Sequence, residues 1–356
     1  MHRPRQVREL DHSRYIAMAE APPGLASDPR ARERPFCYRV LVPAVVGRLA
    51  VLTGVNLHAV FWATTQLALM AFLFTLFLLL RRQGFAVDAA LLGTALASLM
   101  PGAVRWYAYQ YWMPDPVCLW LVTLGLLLAR EDRRAALSAV AAAGAATREN
   151  WLLIPAYALS RWTRQRRAWG PLEAVLVFAP AAAAAVAIRV VIDPMSGPGF
   201  LDAAREMLAF RARHLLDNQL YFVTIGSFGV LVPLLVLRSP RAWGAVRARP
   251  EDAAVALLAF ASLAFANNTD RLLAYALPVL LPPALRAVEA VGRVVGWARA
   301  AVAAVAAQVT VYAVTPGWGI SGLSIYQPVR WTAILLCAVL VVAGAVALRR
   351  ERSYSS

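Results

Sequence analysis

Residues 57–80, LHAVFWATTQLALMAFLFTLFLLL, are followed directly by Arg81 and Arg82. The stretch contains no Asp, Glu, Lys or Arg, and at about 1.5 Å per residue a helix of this length crosses the roughly 30 Å hydrocarbon core of a bilayer. Because arginines concentrate on the cytoplasmic side of membrane proteins, we expect the segment to run inward and to end at that face. The sequence therefore predicts a membrane-spanning helix here.

The composition of the whole chain extends this prediction. Hydrophobic residues make up 60% of the sequence and charged residues only 16%, whereas soluble domains carry about 25% charged residues. Three further apolar runs, Leu172–Ile192, Tyr221–Leu237 and Trp331–Leu348, approach or reach the roughly 20 residues that a span needs. We therefore predict an all-α fold, a polytopic transmembrane helix bundle with a helical hairpin and outer-face juxtamembrane helices.

The formal charge of +16 comes from arginine alone. Most of these arginines lie in short loops between predicted spans, which argues against a nucleic-acid partner. Neither histidine nor cysteine shows the spacing of a metal site, and there is no CxxC motif; the residues concerned are His2, His12, His58, His214, Cys37, Cys118 and Cys337. No cofactor and no metal ligand is predicted, although the sequence leaves the use of a divalent metal open.

Two kinds of polar cluster separate the apolar runs. The arginine-rich clusters are Arg81–Arg82, Arg133–Arg134, Arg161–Arg167, Arg238–Arg249 and Arg349–Arg350. The clusters that mix acids, arginines and polar or aromatic residues are Asp11–Tyr15, Arg34–Arg39, Arg105–Asp115, Arg148–Asn150 and Asn267–Arg271. With the first kind held in the cytoplasm, most of the second kind gather at the outer face. This arrangement predicts a functional site there.

When the basic loops are placed in the cytoplasm, three parts of the chain can be distinguished. They are an outer-face loop and juxtamembrane segment (1–56), a transmembrane bundle (57–349) and a cytoplasmic tail (350–356). The runs Ala135–Thr147 and Trp151–Ser160 are each too short to span the membrane. Because both loops that flank the pair are basic, we predict a hairpin whose tip is Arg148–Asn150. Residues 193–218 follow as an outer segment with an interfacial helix. Later, Asn267–Arg271 is predicted to be an outer turn, and the apolar run Leu272–Leu285 after it is predicted to return through the membrane.

The placement of the N-terminal segment has two solutions. Val40–Val55 is apolar but contains Pro43, Gly47 and Arg48. If it spans the membrane, the arginine-rich first segment lies inside. If it is an outer juxtamembrane helix, we expect a further span upstream of Met1.

Several motifs, taken in order, resemble the GT-C superfamily of integral-membrane glycosyltransferases, in particular its bacterial mannosyl- and arabinosyl-type members. The resemblance rests on Asp11 with Tyr15 and IAMA (16–19), RPFCYRVLVP (34–43), PDP (114–116), ATRENWLLIP (146–155) and NNTDRLLAYALPVLLP (267–282). It implies transfer of a sugar from a polyprenyl-phosphate donor to a glycan, lipid or protein acceptor. The implied place is the outer face of a bacterial inner (plasma) membrane.

Site residues follow from this resemblance and from the chemistry of the donor. By resemblance to the acid of the first outer loop, Asp11 is the candidate catalytic base, and Asp115 is its rival. A departing lipid phosphate needs charge-assisted donors. The predicted donor-phosphate residues are Arg14, Tyr15, Arg39, Arg148 and Arg271, and the predicted supporting residues are Tyr38, Glu149, Asn150 and Asp270.

Other interpretations remain open at this point. A transporter or flippase of a lipid-linked saccharide would share a helix bundle with intramembrane charges, and an inactive relative would act as a structural subunit. Locally, the N-terminal motif also fits a solvated tail, and Asp115 also fits a helix cap. Arg148 and Glu149 also fit a structural pair with each other, and Asp270 also fits the cap of a plain turn.

Overall fold

The computed structural model describes residues 5–21, 28–165, 171–195, 199–214, 219–237, 249–265, 269–314 and 327–354. Within these ranges the chain is helical and contains no β-strand. The prediction of an all-α fold is therefore confirmed for the described part of the chain.

The helices cover the apolar runs of the sequence and also polar segments such as Arg5–Glu20. The α-helices are α1 (Arg5–Glu20), α2 (Leu41–Thr53), α3 (Leu57–Arg82), α4 (Val87–Ser98), α5 (Trp106–Tyr109), α6 (Asp115–Arg130), α7 (Arg134–Thr147), α8 (Leu153–Arg164), α9 (Pro171–Val191), α10 (Phe200–Arg213), α11 (Leu231–Leu237), α12 (Pro250–Ala261), α13 (Thr269–Leu273), α14 (Leu277–Val295), α15 (Trp297–Val314) and α16 (Gln327–Tyr354). Short 3₁₀ helices cover Pro29–Arg32, Phe36–Tyr38, Glu149–Leu152, Ser262–Ala264 and Ala274–Ala276, and π-helical turns cover Pro101–Arg105 and Phe222–Gly226.

The chain folds into two compact units. The first unit contains residues 1–75 and 107–203, and the second contains residues 76–106 and 204–356. Each predicted site residue can therefore be assigned to one unit. The first unit contains the predicted site residues of the N-terminal segment, of the start of α6 and of the hairpin tip. The second unit contains the predicted site residues near Arg271.

Three helical segments in the described ranges are long and apolar enough to cross a membrane: Leu57–Arg82, Leu172–Val191 and Arg271–Val295. The first two coincide with predicted spans, and the third contains the predicted span Leu272–Leu285. Only 11% of the second segment is buried inside the protein, so nearly all of its apolar surface needs a non-aqueous environment. These segments indicate a membrane protein.

Helices α6, α7 and α8 form the part of the first unit that carries the predicted hairpin. Helix α6 packs against both α7 and α8, and α7 also packs against α9. Gly125 of α6 faces Ile154 of α8, and Gly144 of α7 faces Trp151; an added Cβ would come within 2.8–2.9 Å of these side chains. Small residues thus permit close helix approach. The break between α7 and α8 falls at Arg148–Asn150, as predicted.

The predicted continuous helix over Tyr221–Leu237 is interrupted. Gly229 adopts a left-handed conformation with φ 52°, and an added Cβ would lie 2.2 Å from the Oε1 atom of Gln308 in α15. The Val230 N–H donates to the same Oε1 atom at 2.9 Å. A side chain from a distant helix therefore satisfies the backbone donor that the turn exposes, and α11 begins only at Leu231.

The loops on either side of the hairpin are expected to lie on the same, cytoplasmic side. Cysteine introduced at Glu131 or at Gln165 should then resist impermeant thiol reagents in intact cells and react after permeabilisation. The native cysteines are buried in any case, and burial raises the pKa of Cys37 to about 11. The measurement is made with those cysteines replaced, and Met195→Cys in the predicted outer segment is the control that should label in intact cells. Labelling at only one of the two loops would refute the hairpin topology.

Candidate functional site

An ion pair is buried between the start of α6 and the tip of the hairpin. Asp115 lies in the first turn of α6 with 0% of its side chain exposed, and Arg148, which is 4% exposed, pairs with it. The N-cap position belongs to Pro114, so helix capping does not account for Asp115. An acidic residue in a first helical turn is stabilised by the helix dipole, and Arg148 supplies the opposite charge.

Arg39 forms a second set of contacts in the same unit. Its Nη1 donates to the hydroxyl of Tyr15 at 3.0 Å, and its Nη2 donates to the Oε2 of Glu149 at 3.2 Å. The Tyr15 side chain is fully buried. The N-terminal helix and the loop before α2 are thereby joined to the tip of the hairpin.

The charges of these groups stabilise one another. Partial burial would raise the pKa of Glu149, but Arg39 and then Arg148 hold this pKa below its ordinary value. Burial works against the charge of Arg39, but the carboxylate of Glu149 and the phenol of Tyr15 keep its pKa above the ordinary value. At neutral pH, Glu149 is therefore an anion and Arg39 a cation.

We call Tyr15, Arg39, Asp115, Arg148 and Glu149 the charged cluster. Each of these was predicted as a site residue, and they come from α1, the loop before α2, the start of α6 and the hairpin tip. Arg148 forms its ion pair with Asp115, while the adjacent Glu149 forms one with Arg39. Each of these two sequence neighbours therefore pairs with a residue from a distant part of the chain.

The two carboxylates of the charged cluster differ in access to solvent. The side chain of Asp115 is fully buried, whereas 37% of the Glu149 side chain is exposed. A small molecule can therefore reach Glu149 directly, but it cannot reach Asp115 without a rearrangement.

The other predicted residues of the first unit make contacts outside the charged cluster or are buried. Arg14 donates to the carboxylate of Glu33 from Nε at 2.6 Å and from Nη2 at 2.5 Å, and its guanidinium lies 4.3 Å from the ring centre of Phe36. Tyr38 lies 5.1 Å beneath the guanidinium of Arg189, and Asn150 is buried. Arg14 is thus held by a carboxylate that the sequence did not single out.

Two predicted acids have a described backbone only. The backbone of Asp11 belongs to α1, and that of Asp270 belongs to α13. The side chains of Asp11 and Asp270 are not described.

Arg271 belongs to the second unit. Its side chain is buried, and its guanidinium lies 5.4 Å from the ring centre of Trp106. Nearby, Arg211 donates to the carbonyl of Leu263 at 2.7 Å, to Gln219 at 2.6 Å and to Thr269 at 2.9 Å. Burial lowers the pKa of Arg211 to about 10. No sequence pattern predicted a role for Arg211, because its partners come from two other segments.

A histidine pair in the first unit was also missed. The Nε2 of His12 lies 3.4 Å from the Nδ1 of His58, and the hydroxyl of Tyr111 lies 3.3 Å from the same nitrogen. No group of three or more His, Cys, Asp or Glu in the described ranges is placed to hold a metal ion. The two histidines lie far apart in the sequence, so spacing alone could not pair them.

Comparison with known proteins assigns no family. No protein-family model matches the chain, and no curated protein or solved structure matches it significantly. Its function is therefore inferred from the residues and their geometry.

Proposed function

We propose that this chain is a polytopic membrane glycosyltransferase that moves a sugar from a polyprenyl-phosphate donor to an acceptor hydroxyl, at the outer face of a bacterial plasma membrane. The observation that carries the proposal is the charged cluster. Its residues come from separate motifs. They were selected because arginines can bind a phosphate leaving group and because a carboxylate can act as a base. They lie together in one unit. The acceptor is a glycan, a lipid or a protein.

Arg39 is the residue best placed to bind the donor phosphate. Its two terminal nitrogens are fixed by Tyr15 and Glu149. Its Nε is buried and makes no hydrogen bond among the described residues. A buried donor that makes no hydrogen bond costs free energy, and a phosphate oxygen is a strong acceptor for a guanidinium. Arg39 can therefore stabilise the charge that develops on the leaving lipid phosphate.

A carboxylate is needed to orient and deprotonate the acceptor hydroxyl. By resemblance, Asp11 remains the first candidate for this base. Within the charged cluster, Glu149 is the exposed carboxylate and Asp115 the buried one. We therefore assign Asp115 a positioning role through Arg148, and we place Glu149 beside Asp11 as the second candidate base.

The proposal is tested with the purified full-length protein and a labelled polyprenyl-phosphate sugar. The wild type should release polyprenyl phosphate in a time-dependent reaction, and Arg39→Ala should reduce the release by roughly 10²–10³-fold, the range for loss of one stabilising donor. Arg30→Ala is the matched control, because Arg30 is an exposed arginine of the same loop and pairs with Asp28 at the surface.

A different result would favour another function. Movement of the labelled lipid across vesicle membranes, without release of polyprenyl phosphate, would identify a carrier and refute the transferase. Release that is unaffected by Arg39→Ala would separate the reaction from the charged cluster.

A further inference from the structure

We infer that His12, His58 and Tyr111 form a binding site for a single divalent transition-metal ion such as Zn²⁺. In the first unit these side chains bring two imidazole nitrogens and a phenol oxygen together. The hydroxyl of Tyr111 and the Nε2 of His12 both lie against the Nδ1 of His58, at 3.3 Å and 3.4 Å.

These separations suit ligands of one metal ion better than hydrogen bonds. Hydrogen bonds with a nitrogen or hydroxyl donor typically measure about 2.5–3.2 Å, and both contacts are longer. Nitrogen and oxygen ligands lie about 2.0–2.2 Å from Zn²⁺ in a tetrahedral site. Two such ligands are then about 3.3–3.5 Å apart, which is the spacing found here.

The hydrogen-bonding capacity of an imidazole nitrogen supports the same conclusion. The Nδ1 of His58 carries either one proton or one lone pair. It can therefore make one good hydrogen bond, yet two polar atoms approach it. A metal ion bound to all three atoms would use the lone pair of each. The His12 and His58 rings are nearly parallel, at 16°. Both are partly exposed, and their broad χ2 torsions allow the nitrogens to turn toward a shared ion.

The ligands are held in place by contacts that do not involve a metal. Asn56 accepts a hydrogen bond from the backbone of His58 at 2.9 Å at the start of α3. Two turns later on α3, the hydroxyl of Thr65 donates to the carbonyl of Tyr111. Residues at this spacing share one face of a helix, so α3 supplies His58 and also fixes the segment that carries Tyr111.

An indole ring closes one side of the site. The buried ring of Trp112 packs edge-on against His12 at 4.7 Å and against Tyr111 at 5.1 Å. Trp112 therefore limits the movement of His12 and Tyr111 on that side of the site, and only the imidazole rings need to turn when an ion binds.

The ligand set indicates which ion would bind. Imidazole favours zinc and its neighbours in the first transition row, whereas Mg²⁺ and Ca²⁺ prefer oxygen ligands. Three protein ligands leave a fourth position for water or substrate, the pattern of catalytic zinc sites. Because the phenol would bind as a phenolate, uptake of one ion would release its proton to solvent.

The metal site lies next to the charged cluster along the chain. His12 precedes Tyr15 by one turn of α1, and Tyr111 precedes Asp115 at the start of α6. Helix α1 and the segment that leads into α6 therefore each carry one residue of the metal site and one residue of the charged cluster. The metal site does not depend on the proposed function, because metal binding is measured without a sugar donor.

The test uses full-length protein that has been stripped of metal with a chelator. Elemental analysis after titration with Zn²⁺ should find one ion per chain, and Co²⁺ should give the visible absorption of a four-coordinate ion. His12→Ala and His58→Ala should each weaken binding at least about 100-fold, because even a residue that only supports a ligand contributes about 10–100-fold. Tyr111→Phe should weaken binding and change the Co²⁺ spectrum. His214→Ala in the second unit is the matched control and should bind like the wild type.

Thermal unfolding compares the Tm of each variant with and without metal, so a difference in stability between the variants does not affect the result. Saturating Zn²⁺ should raise the Tm of the wild type and of His214→Ala. It should leave the Tm of the double variant His12→Ala/His58→Ala unchanged. One-to-one binding that persists in that double variant would overturn the inference. So would a wild type that binds neither Zn²⁺ nor Co²⁺ at millimolar concentration.

Discussion

Replacement of Arg148 by methionine should lower the free energy of unfolding by about 3–5 kcal/mol, the cost of removing one partner from a buried ion pair. The reason is the position of Asp115, whose side chain has no exposed surface. Without Arg148, its charge would remain in an environment of low polarity. Denaturation of the purified protein in detergent, followed by circular dichroism, measures the change.

Two further variants distinguish the effect of the unpaired charge on stability from the effect of lost side-chain packing. In the double variant Asp115→Leu/Arg148→Met both charges are gone, and stability should return to about the wild-type value or exceed it. Arg134→Met is the matched surface control, because the pair of Arg134 with Glu173 is exposed on both sides, and it should cost less than about 1 kcal/mol. An Arg148→Met variant as stable as the surface control would contradict the buried ion pair.

Sugar transfer should fall by roughly 10²–10⁴-fold when the catalytic base is removed, which corresponds to about 3–5 kcal/mol of activation free energy. We expect this loss for Asp11→Asn, because the amide keeps the shape of the side chain but cannot accept a proton. Donor binding should remain, since the arginines that we propose contact the phosphate are intact. The measurement is the rate of polyprenyl-phosphate release together with the affinity for the donor.

The rival carboxylates are tested in the same assay. A larger loss for Glu149→Gln than for Asp11→Asn would assign the base to the hairpin tip. Asp115→Asn should lose activity together with stability, since it acts through Arg148. Asp28→Asn is the control, because Asp28 pairs with Arg30 at the surface. Full activity with Asp11, Asp115 and Glu149 all replaced would rule out carboxylate catalysis.

Features that depend on local sequence could be predicted. The hairpin was expected over Ala135–Thr147 and Trp151–Ser160, and α7 ends at Thr147. The position of the break between α7 and α8 was predicted correctly because two apolar runs stop at a charged triplet, and charges within a membrane are costly unless they are paired. The spans predicted at 57–80 and Leu172–Ile192 coincide with helices long and apolar enough to cross a membrane for a similar reason, since length and hydropathy are properties of one segment.

Features that depend on which helices pack together could not be predicted. Arg148 has an acid beside it in the sequence, yet its ion pair is with Asp115. His12 and His58 gave no signal because each stands alone in its own segment. The interruption before α11 depends on Gln308, a residue of another helix. A pattern within one segment contains no information about its neighbours in the fold.

The attachment of the N-terminal loop has a consequence for biosynthesis. Arg32 donates from Nε and Nη2 to the carbonyl of Asp193, and the backbone N–H of Met195 donates to the carbonyl of Arg32 at 3.0 Å. The two partners in the first contact are 161 positions apart. At about 5–20 residues per second, a ribosome makes this loop roughly 8–30 s before its anchor exists. The loop that carries Arg32 must therefore remain unattached until the end of α9 has been made, and only then can it take its final position in the first unit.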